Sequence, residues 1–256
     1  GTVNDLAMRG AKPLWISLAF IIEEGLDVGT LRRVVAAVAE AAREAGVKIA
    51  TGDTKVVERG SADGLFITTS GVGAVPEGVE VSLSGARAGD AVIVSGPVGN
   101  HAIAVLAQRE GLAFQTEVRS DAAPLNHTVA RLVEELGKDL HVLNDPTRGG
   151  LAASLNTIAG ASGVAIEIDE RAVPVDPAVA FAAEMLGLDV LTLANEGKLV
   201  VVVAQGATVK ALNALKNDET RRSVPLLQHG VATAHDIAAR FPHGPAIIGR
   251  VAKGKG

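Results

Sequence analysis

The sequence predicts an α/β protein of two domains, built from layers of helices and buried strands. Hydrophobic residues make up 48% of the chain and charged residues 21%, which is typical of a globular protein with a well-filled core. Aromatic residues are only 2%, so the core must consist of Val, Leu, Ile and Ala, which suits packed layers of helix and sheet. The length of 256 residues exceeds the roughly 100–150 residues of a usual domain, which favours two domains.

The first third of the chain predicts strands around one helix. Residues 14–22 form an apolar stretch that predicts a core strand. Apolar residues then recur at spacings of three and four, which predicts a helix with Thr30 as N-cap and Gly46 at its end. Residues 47–50 predict a short strand that leads into a polar loop at 51–55. Two further β-branched stretches predict strands at 65–75 and 79–83.

The small-residue loop 84–90 predicts the domain boundary, with a first domain at 1–87 and a second at 88–256. Strands and helices alternate after it. The predicted strands are 91–95, 140–143, 164–168, 199–203 and 246–251, and the predicted helices are 100–111, 123–136, 151–161 and 208–215. No pattern in residues 252–256 predicts order.

Composition narrows the classes of function. The net charge of −5 and the scarcity of aromatic rings argue against a nucleic-acid partner. No apolar run reaches the roughly 20 residues of a membrane-spanning helix, so no membrane association is expected. The absence of cysteine excludes disulfides and thiolate metal sites within these residues and fits a reducing compartment, which predicts the cytoplasm. Because the chain opens with Gly1 and not Met, we expect that its start is cut.

Four polar segments flanked by glycine interrupt the apolar structure, at residues 1–5, 51–55, 144–150 and 194–198. Loops of this kind concentrate function. Asp5 and Asp53 are candidate ligands of Mg²⁺, which takes one or two protein carboxylates alongside phosphate oxygens. Gly149 opens a predicted helix whose positive end attracts phosphate. Lys55 and Glu196 are candidates for general base, general acid or charge stabiliser.

Structural interpretations compete with each of these. A loop aspartate more often caps a helix or closes a turn, and Lys55 or Glu196 is as readily a solvated surface charge. The six histidines show no paired ligand spacing, and His141, before a strand, is expected to be structural. Neither of the two commonest nucleotide-binding loops, Gly-x-x-x-x-Gly-Lys-Ser/Thr and Gly-x-Gly-x-x-Gly, is present, so a nucleotide site here must be of another kind.

The four segments together resemble one family. The segment 3–13 with Asn4 and Asp5, Gly-Asp-Thr-Lys-Val-Val at 52–57, Asp-Pro-Thr-Arg-Gly-Gly at 145–150 and Asn-Glu-Gly-Lys at 195–198 resemble the hydrogenase maturation HypE family. That family belongs to the PurM-like superfamily of aminoimidazole ribonucleotide synthetase-related ATP-binding enzymes. The resemblance covers nearly the whole chain, and the ordered set of four motifs is far more specific than any one of them.

The resemblance implies a PurM-like pair of α/β domains whose N-terminal sheets pair into a barrel-like homodimer. It implies ATP-dependent, magnesium-dependent dehydration of a thiocarbamate, carried on the enzyme's C-terminal cysteine, to a thiocyanate that supplies cyanide to nickel–iron hydrogenase. Its partners are the carbamoyltransferase HypF and the HypC–HypD complex. By resemblance, Asp5 and Asp53 hold Mg²⁺ and phosphates; Asn4, Thr54 and Gly149 line the nucleotide; Lys55 and Glu196 serve proton transfer.

Two departures from the family pattern bear on this interpretation. Family members begin some tens of residues earlier, with a glycine-rich segment and an aspartate that complete the ATP site, so we expect the N-terminal domain to be truncated, the pocket to be incomplete and these 256 residues by themselves to be inactive. They also end in the acceptor cysteine, which the sequence lacks. Two alternatives stay open: an ATP-dependent enzyme like selenophosphate synthetase or thiamine monophosphate kinase, and a non-catalytic maturation scaffold.

Overall fold

A computed structural model describes residues 1–111, 118–222 and 244–254, with side chains to residue 216 in the second range. The helices are α1 Thr2–Ala7, α2 Val28–Ala45, α3 Asn100–Glu110, α4 Asn126–Leu136, α5 Gly150–Ser162, α6 Pro177–Leu186 and α7 Thr208–Arg222. The strands are β1 Lys12–Glu23, β2 Lys48–Val57, β3 Leu65–Ala74, β4 Ala91–Val94, β5 Leu140–Asn144, β6 Val164–Ile168, β7 Val200–Val203 and β8 Ala246–Lys253. Short 3-10 turns lie at Gly137–Asp139, Glu170–Ala172, Val190–Thr192 and Gln205–Ala207. In these described ranges no helix is long and apolar enough to cross a membrane.

The first sheet has the strand order β2-β1-β3, with β2 parallel and β3 antiparallel to β1. Helix α2 makes the crossover between the two parallel strands, as such a connection requires. It ends at Gly46, whose φ of 68° is the left-handed conformation that closes many helices. Strand β2 is therefore an edge strand, and most of its side chains are exposed.

The second sheet has the order β5-β7-β4-β8-β6, and every neighbouring pair is antiparallel. Its two faces bury separate clusters of side chains. Ile93 packs with residues of α4 and α7, whereas Val92 and Val94 pack with residues of α5 on the other face. The all-valine strand β7 is buried at every position, which explains its apolar run without alternation. The α/β fold expected from the sequence is confirmed.

The two sheets are joined through α1 and the segment 81–90. Ala7 of α1 and its C-cap residue Met8 pack in the same core cluster as α4, although they precede the first sheet in the chain. Buried Asp90 accepts hydrogen bonds from His141 Nδ1 at 2.7 Å and from the backbone N–H of Arg87 at 2.8 Å. The structural role expected for His141 agrees with this contact, which fixes the connecting segment to β5.

Several local predictions are wrong. The N-cap of α2 is Asp27, not Thr30, because the Asp27 carboxylate accepts the Thr30 N–H and the chain turns helical earlier. Residues 51–55 form the middle of β2 and not a loop, because pairing with β1 overrides their polarity. Residues 79–83 form no strand, although Val81 is buried. Residues 2–5 are helical, and β8 includes Ala252 and Lys253.

Candidate functional site

Three carboxylates converge where α1, the loop before α5 and the loop before β7 meet. Asp145 is partly buried at the C-terminal end of β5. Burial, with a smaller contribution from the negative charges of Asp5 and Glu196, raises the pKa of Asp145 to about 6, while a hydrogen bond from its own backbone and the positive N-terminus act in the opposite direction. Repulsion between like charges makes this a place where a cation or a proton is favoured.

Gly149 lies beside this acidic group, at the start of α5. Its φ is 76°, and no side chain caps the helix. The first N–H groups of the 13-residue helix therefore have no side-chain acceptor, and the helix dipole adds positive potential there. A magnesium-bound phosphate matches this juxtaposition, since its oxygens suit the helix end and its cation suits the carboxylates.

Asn4 holds α1 against the second sheet's loops. Its side-chain amide donates to the carbonyls of Ala123 at 3.1 Å and Glu196 at 3.3 Å, and its carbonyl oxygen accepts the Leu125 N–H at 2.8 Å. Asn4 is buried, so these backbone groups depend on it for partners. It places Asp5, the next residue, beside Glu196.

Asn195 joins three loops in the same region. Its amide donates to the carbonyls of Pro146 at 3.0 Å and Leu193 at 2.9 Å, and its oxygen accepts the Gly99 N–H at 2.8 Å. With 1% exposure it is one of the most buried polar residues described. The turn 96–99, the loop that carries Asp145 and the loop that carries Glu196 thus keep a fixed arrangement.

The second set of predicted site residues lies on β2. Asp53 pairs with Ala19 and Lys55 with Ile21, and the Asp53 carboxylate accepts the Thr54 N–H at 2.8 Å. These side chains are exposed. Residues 49–54 of β2 line an open depression of about 500 Å³ together with Leu18 and Phe20 of the neighbouring strand β1.

Gly52 explains why a glycine precedes Asp53. A Cβ at position 52 would lie 2.0 Å from the Leu18 carbonyl oxygen, a distance that no side chain tolerates. The glycine lets β2 come close to β1 at this point. The position of Asp53 on the sheet therefore depends on its neighbour.

The structure thus brings Asn4, Asp5 and Glu196 together at the loop that leads to Gly149, whereas Asp53, Thr54 and Lys55 lie on the edge strand β2 of the first sheet. Among the described ranges no group of three His, Cys, Asp or Glu side chains is arranged to hold a metal ion by itself. Sequence reasoning assigned no role to Asp145 or Asn195, although both lie inside motifs that it singled out.

One face of the first sheet is apolar and uncovered. Trp15 pairs with Val72 and Ile21 pairs with Phe66, and the spacing of these residues places all four on the same face. Trp15 is 50% exposed and Phe66 is 49% exposed. By register, Lys55 lies in one row with Ile21 and Phe66. We call this surface, defined by Trp15, Ile21, Phe66 and Val72, the open sheet face.

Comparison with known proteins defines the class. The family model for the N-terminal domain of AIR synthase related proteins matches residues 1–75, and the model for the C-terminal domain matches residues 87–224. Thiamine monophosphate kinase from Aquifex aeolicus, at 20% identity and a TM-score of 0.65, shares the fold. The fold and these matches define an AIR synthase related protein.

Nearer relatives define the family within that class. The chain is 51% identical over 235 residues to carbamoyl dehydratase HypE of Bradyrhizobium diazoefficiens and 50% identical over 234 residues to that of Cupriavidus necator. These matches cover 92% and 90% of this chain, which spans about two thirds of its relatives' length, 68% and 66% respectively. The crystal structure of a hydrogenase maturation protein HypE in complex with ATP superposes with a TM-score of 0.86 at 46% identity, and the match covers 99% of this chain and 69% of that one. The chain belongs to the carbamoyl dehydratase HypE family, which confirms the resemblance seen in its motifs.

Proposed function

We propose that the chain carries the activity of its family, the ATP-dependent dehydration of a thiocarbamate to a thiocyanate. The single observation that carries the proposal is the convergence of Asp5, Asp145 and Glu196 at the uncapped start of α5. A relative of 46% identity has been crystallised with ATP, which supports the same ligand here. The thiocarbamate is carried on a cysteine thiol, a residue that these 256 residues do not contain.

The overall reaction converts R–S–C(=O)–NH₂ and ATP to R–S–C≡N, ADP and phosphate. Bound ATP with Mg²⁺ supplies the phosphoryl group that makes the carbamoyl oxygen a leaving group. The oxygen departs with phosphate, and both nitrogen protons leave as the triple bond forms. Lys55 and Glu196 are the residues we assign to this proton transfer, with the identity of the base left to experiment.

We further propose that Asp5 and Asp53 ligate Mg²⁺, and that Asn4, Thr54 and Gly149 border the nucleotide. Carboxylate oxygens are the hard donors that Mg²⁺ prefers, and the uncapped N–H groups after Gly149 suit phosphate. The buried hydrogen bonds of Asn4 support a positioning role for its side chain, with Asp5 reaching the cation.

Titration calorimetry with ATP and Mg²⁺ tests the site, on a form of the chain extended by the N-terminal segment of its family, with Asp53→Asn as the variant. Asp63→Asn is the matched control, because Asp63 is also an exposed carboxylate, on the loop after β2. We expect ATP binding in the protein and in the control, and its loss in Asp53→Asn. Absence of binding to the unaltered protein, or equal affinity in all three, would refute the assignment.

Turnover is measured as ADP release with an S-carbamoylated cysteine peptide as substrate. We expect release to depend on the peptide and to fall by two orders of magnitude or more, on the order of a lost general base, in Glu196→Gln. ADP release that ignores the peptide would contradict the proposed reaction.

The open sheet face supports a homodimer formed by pairing of two first sheets. A chain 47% identical to this one has been crystallised in a HypE–HypF complex, so we propose HypF as a partner, and we propose HypC–HypD as a second partner on family grounds. We also propose a cytoplasmic location and the domain division 1–87 and 88–256. Copurification of the tagged chain with HypF, and with HypC–HypD, from a cell extract tests the two proposed partners.

A further inference from the structure

The segment 118–125, between α3 and α4, crosses the loop that carries Glu196. His101 Nδ1 and Ser120 Oγ hydrogen-bond at 2.8 Å at one end of the segment. At the other end, the Ala123 carbonyl accepts from Asn4. Asp121 lies between these anchors, so the segment spans from the second sheet's helices to α1.

Asp121 contacts the loop through both carboxylate oxygens. Oδ1 accepts the backbone N–H of Glu196 at 3.2 Å. Oδ2 lies 3.2 Å from the Lys198 ammonium and accepts no well-directed hydrogen bond, so this second contact is an ion pair. The Asp121 side chain is only 5% exposed, which makes both contacts stronger than their surface equivalents.

The backbone of the two segments is also in close contact. A Cβ at Gly197 would lie 1.8 Å from the Asp121 carbonyl oxygen. Glu196 is therefore held on both sides, its N–H by Asp121 and its carbonyl by Asn4.

We propose that Asp121 is a positioning residue that fixes the backbone of Glu196 and so aims its carboxylate at the substrate. The inference rests on the proposed function, in which Glu196 takes part in proton transfer. The hydrogen bond to the Glu196 N–H sets the position, and the ion pair with Lys198 balances the buried charge. A displacement of a catalytic group by about 1 Å can lower a rate by roughly 10²-fold.

Two variants separate the hydrogen bond from the ion pair. Asp121→Ala removes both contacts. The double variant Asp121→Asn with Lys198→Met keeps an oxygen acceptor for the Glu196 N–H and removes both charges. Asp189→Ala is the control, because Asp189 also accepts a backbone N–H, from Leu191 at 2.9 Å, outside the proposed site.

Hydrogen exchange is the first readout and needs no activity. We expect Asp121→Ala to speed exchange of the Glu196 amide about tenfold or more, and the double variant and the control to leave it within a few fold. Steady-state kinetics are the second readout. We expect kcat to fall about 10- to 100-fold in Asp121→Ala with an unchanged KM for ATP, and to recover in the double variant.

Unchanged exchange at Glu196 in Asp121→Ala would overturn the positioning role, as would a double variant as slow as Asp121→Ala. If the unaltered protein shows no thiocarbamate-dependent ADP release, the proposed function fails, and the exchange result still decides whether Asp121 holds Glu196. Equal losses of kcat and melting temperature in the control would mark a general structural effect and refute the proposal.

Discussion

Truncation of Trp15 tests whether the open sheet face forms a dimer. A buried Trp contributes up to roughly 250 Å², so the 50% of Trp15 that is exposed amounts to roughly 125 Å². Covering that area is worth about 3 kcal/mol per subunit at about 25 cal/mol per Å². Two subunits give an upper estimate of about 6 kcal/mol. We take about half of it, about 3 kcal/mol, as the free energy of dimerisation lost in Trp15→Ala. We expect the dimer Kd to rise by more than about 100-fold.

Sedimentation velocity over a range of concentrations measures this Kd. Trp15 is the only tryptophan in the sequence, so its emission should shift to shorter wavelength as the dimer forms. Phe181→Ala is the control, because Phe181 is 58% exposed but lies on α6, away from the first sheet. An equal Kd for Trp15→Ala and the unaltered protein, or an equal weakening in the control, would refute the assignment of this face.

Three other substitutions test the site's construction. Asp145→Asn should stabilise the protein at pH 8 but not at pH 3.5. Between pH about 3.8 and about 6 the Asp145 carboxyl is ionised in the unfolded chain but protonated in the folded one, so the stability of the protein falls as pH rises through that window. Above pH about 6 the folded protein keeps this loss of stability, which the asparagine removes. Gly52→Ala should destabilise by about 1–3 kcal/mol or more and weaken ATP binding, because β2 must move off the Leu18 carbonyl. Asn195→Ala should destabilise by about 1–3 kcal/mol for each buried backbone group it leaves without a partner.

Each of these has a measurement and a contrary result. Thermal unfolding at both pH values checks Asp145→Asn, and equal stabilisation at both would contradict the raised pKa. Urea unfolding checks the other two. Gly160→Ala is the control for Gly52→Ala, since position 160 lies within α5 with open space around its Cβ, where alanine should stabilise by about 0.5–1 kcal/mol. A Gly52→Ala protein as stable as this control, or an Asn195→Ala protein of unaltered stability, would refute the packing argument.

Sequence patterns predicted the features that depend on local chemistry. The apolar spacing and Gly46 predicted α2 and its end, and the uninterrupted apolar run at 200–203 predicted a buried strand. Patterns failed where tertiary pairing decides the conformation. Residues 51–55 are polar and glycine-containing, yet hydrogen bonding to β1 makes them a strand.

In the candidate site, too, the sequence predicted what depends on local motifs and missed what depends on tertiary contacts. Motif segments identified Asp5, Gly149 and Glu196, and the structure brings them to one region because α1, the loop before α5 and the loop before β7 meet there. The roles of Asp145 and Asn195 could not be predicted, since burial and long-range hydrogen bonds set them. Asp121 has no flanking pattern at all, and only the fold shows its contact with the Glu196 backbone.

The position of α1 has a consequence for dissecting the molecule. Ala7 and the C-cap residue Met8 fill the core beside α4, and Asn4 hydrogen-bonds to backbone groups of Ala123, Leu125 and Glu196. A fragment cut at the family-model boundary near residue 87 would therefore lose part of its own interior and leave a hole lined by unpaired carbonyl and amide groups. The domain boundary in the sequence therefore differs from the boundary in the packing. To fold by itself, the second domain needs the first ten residues supplied as a peptide.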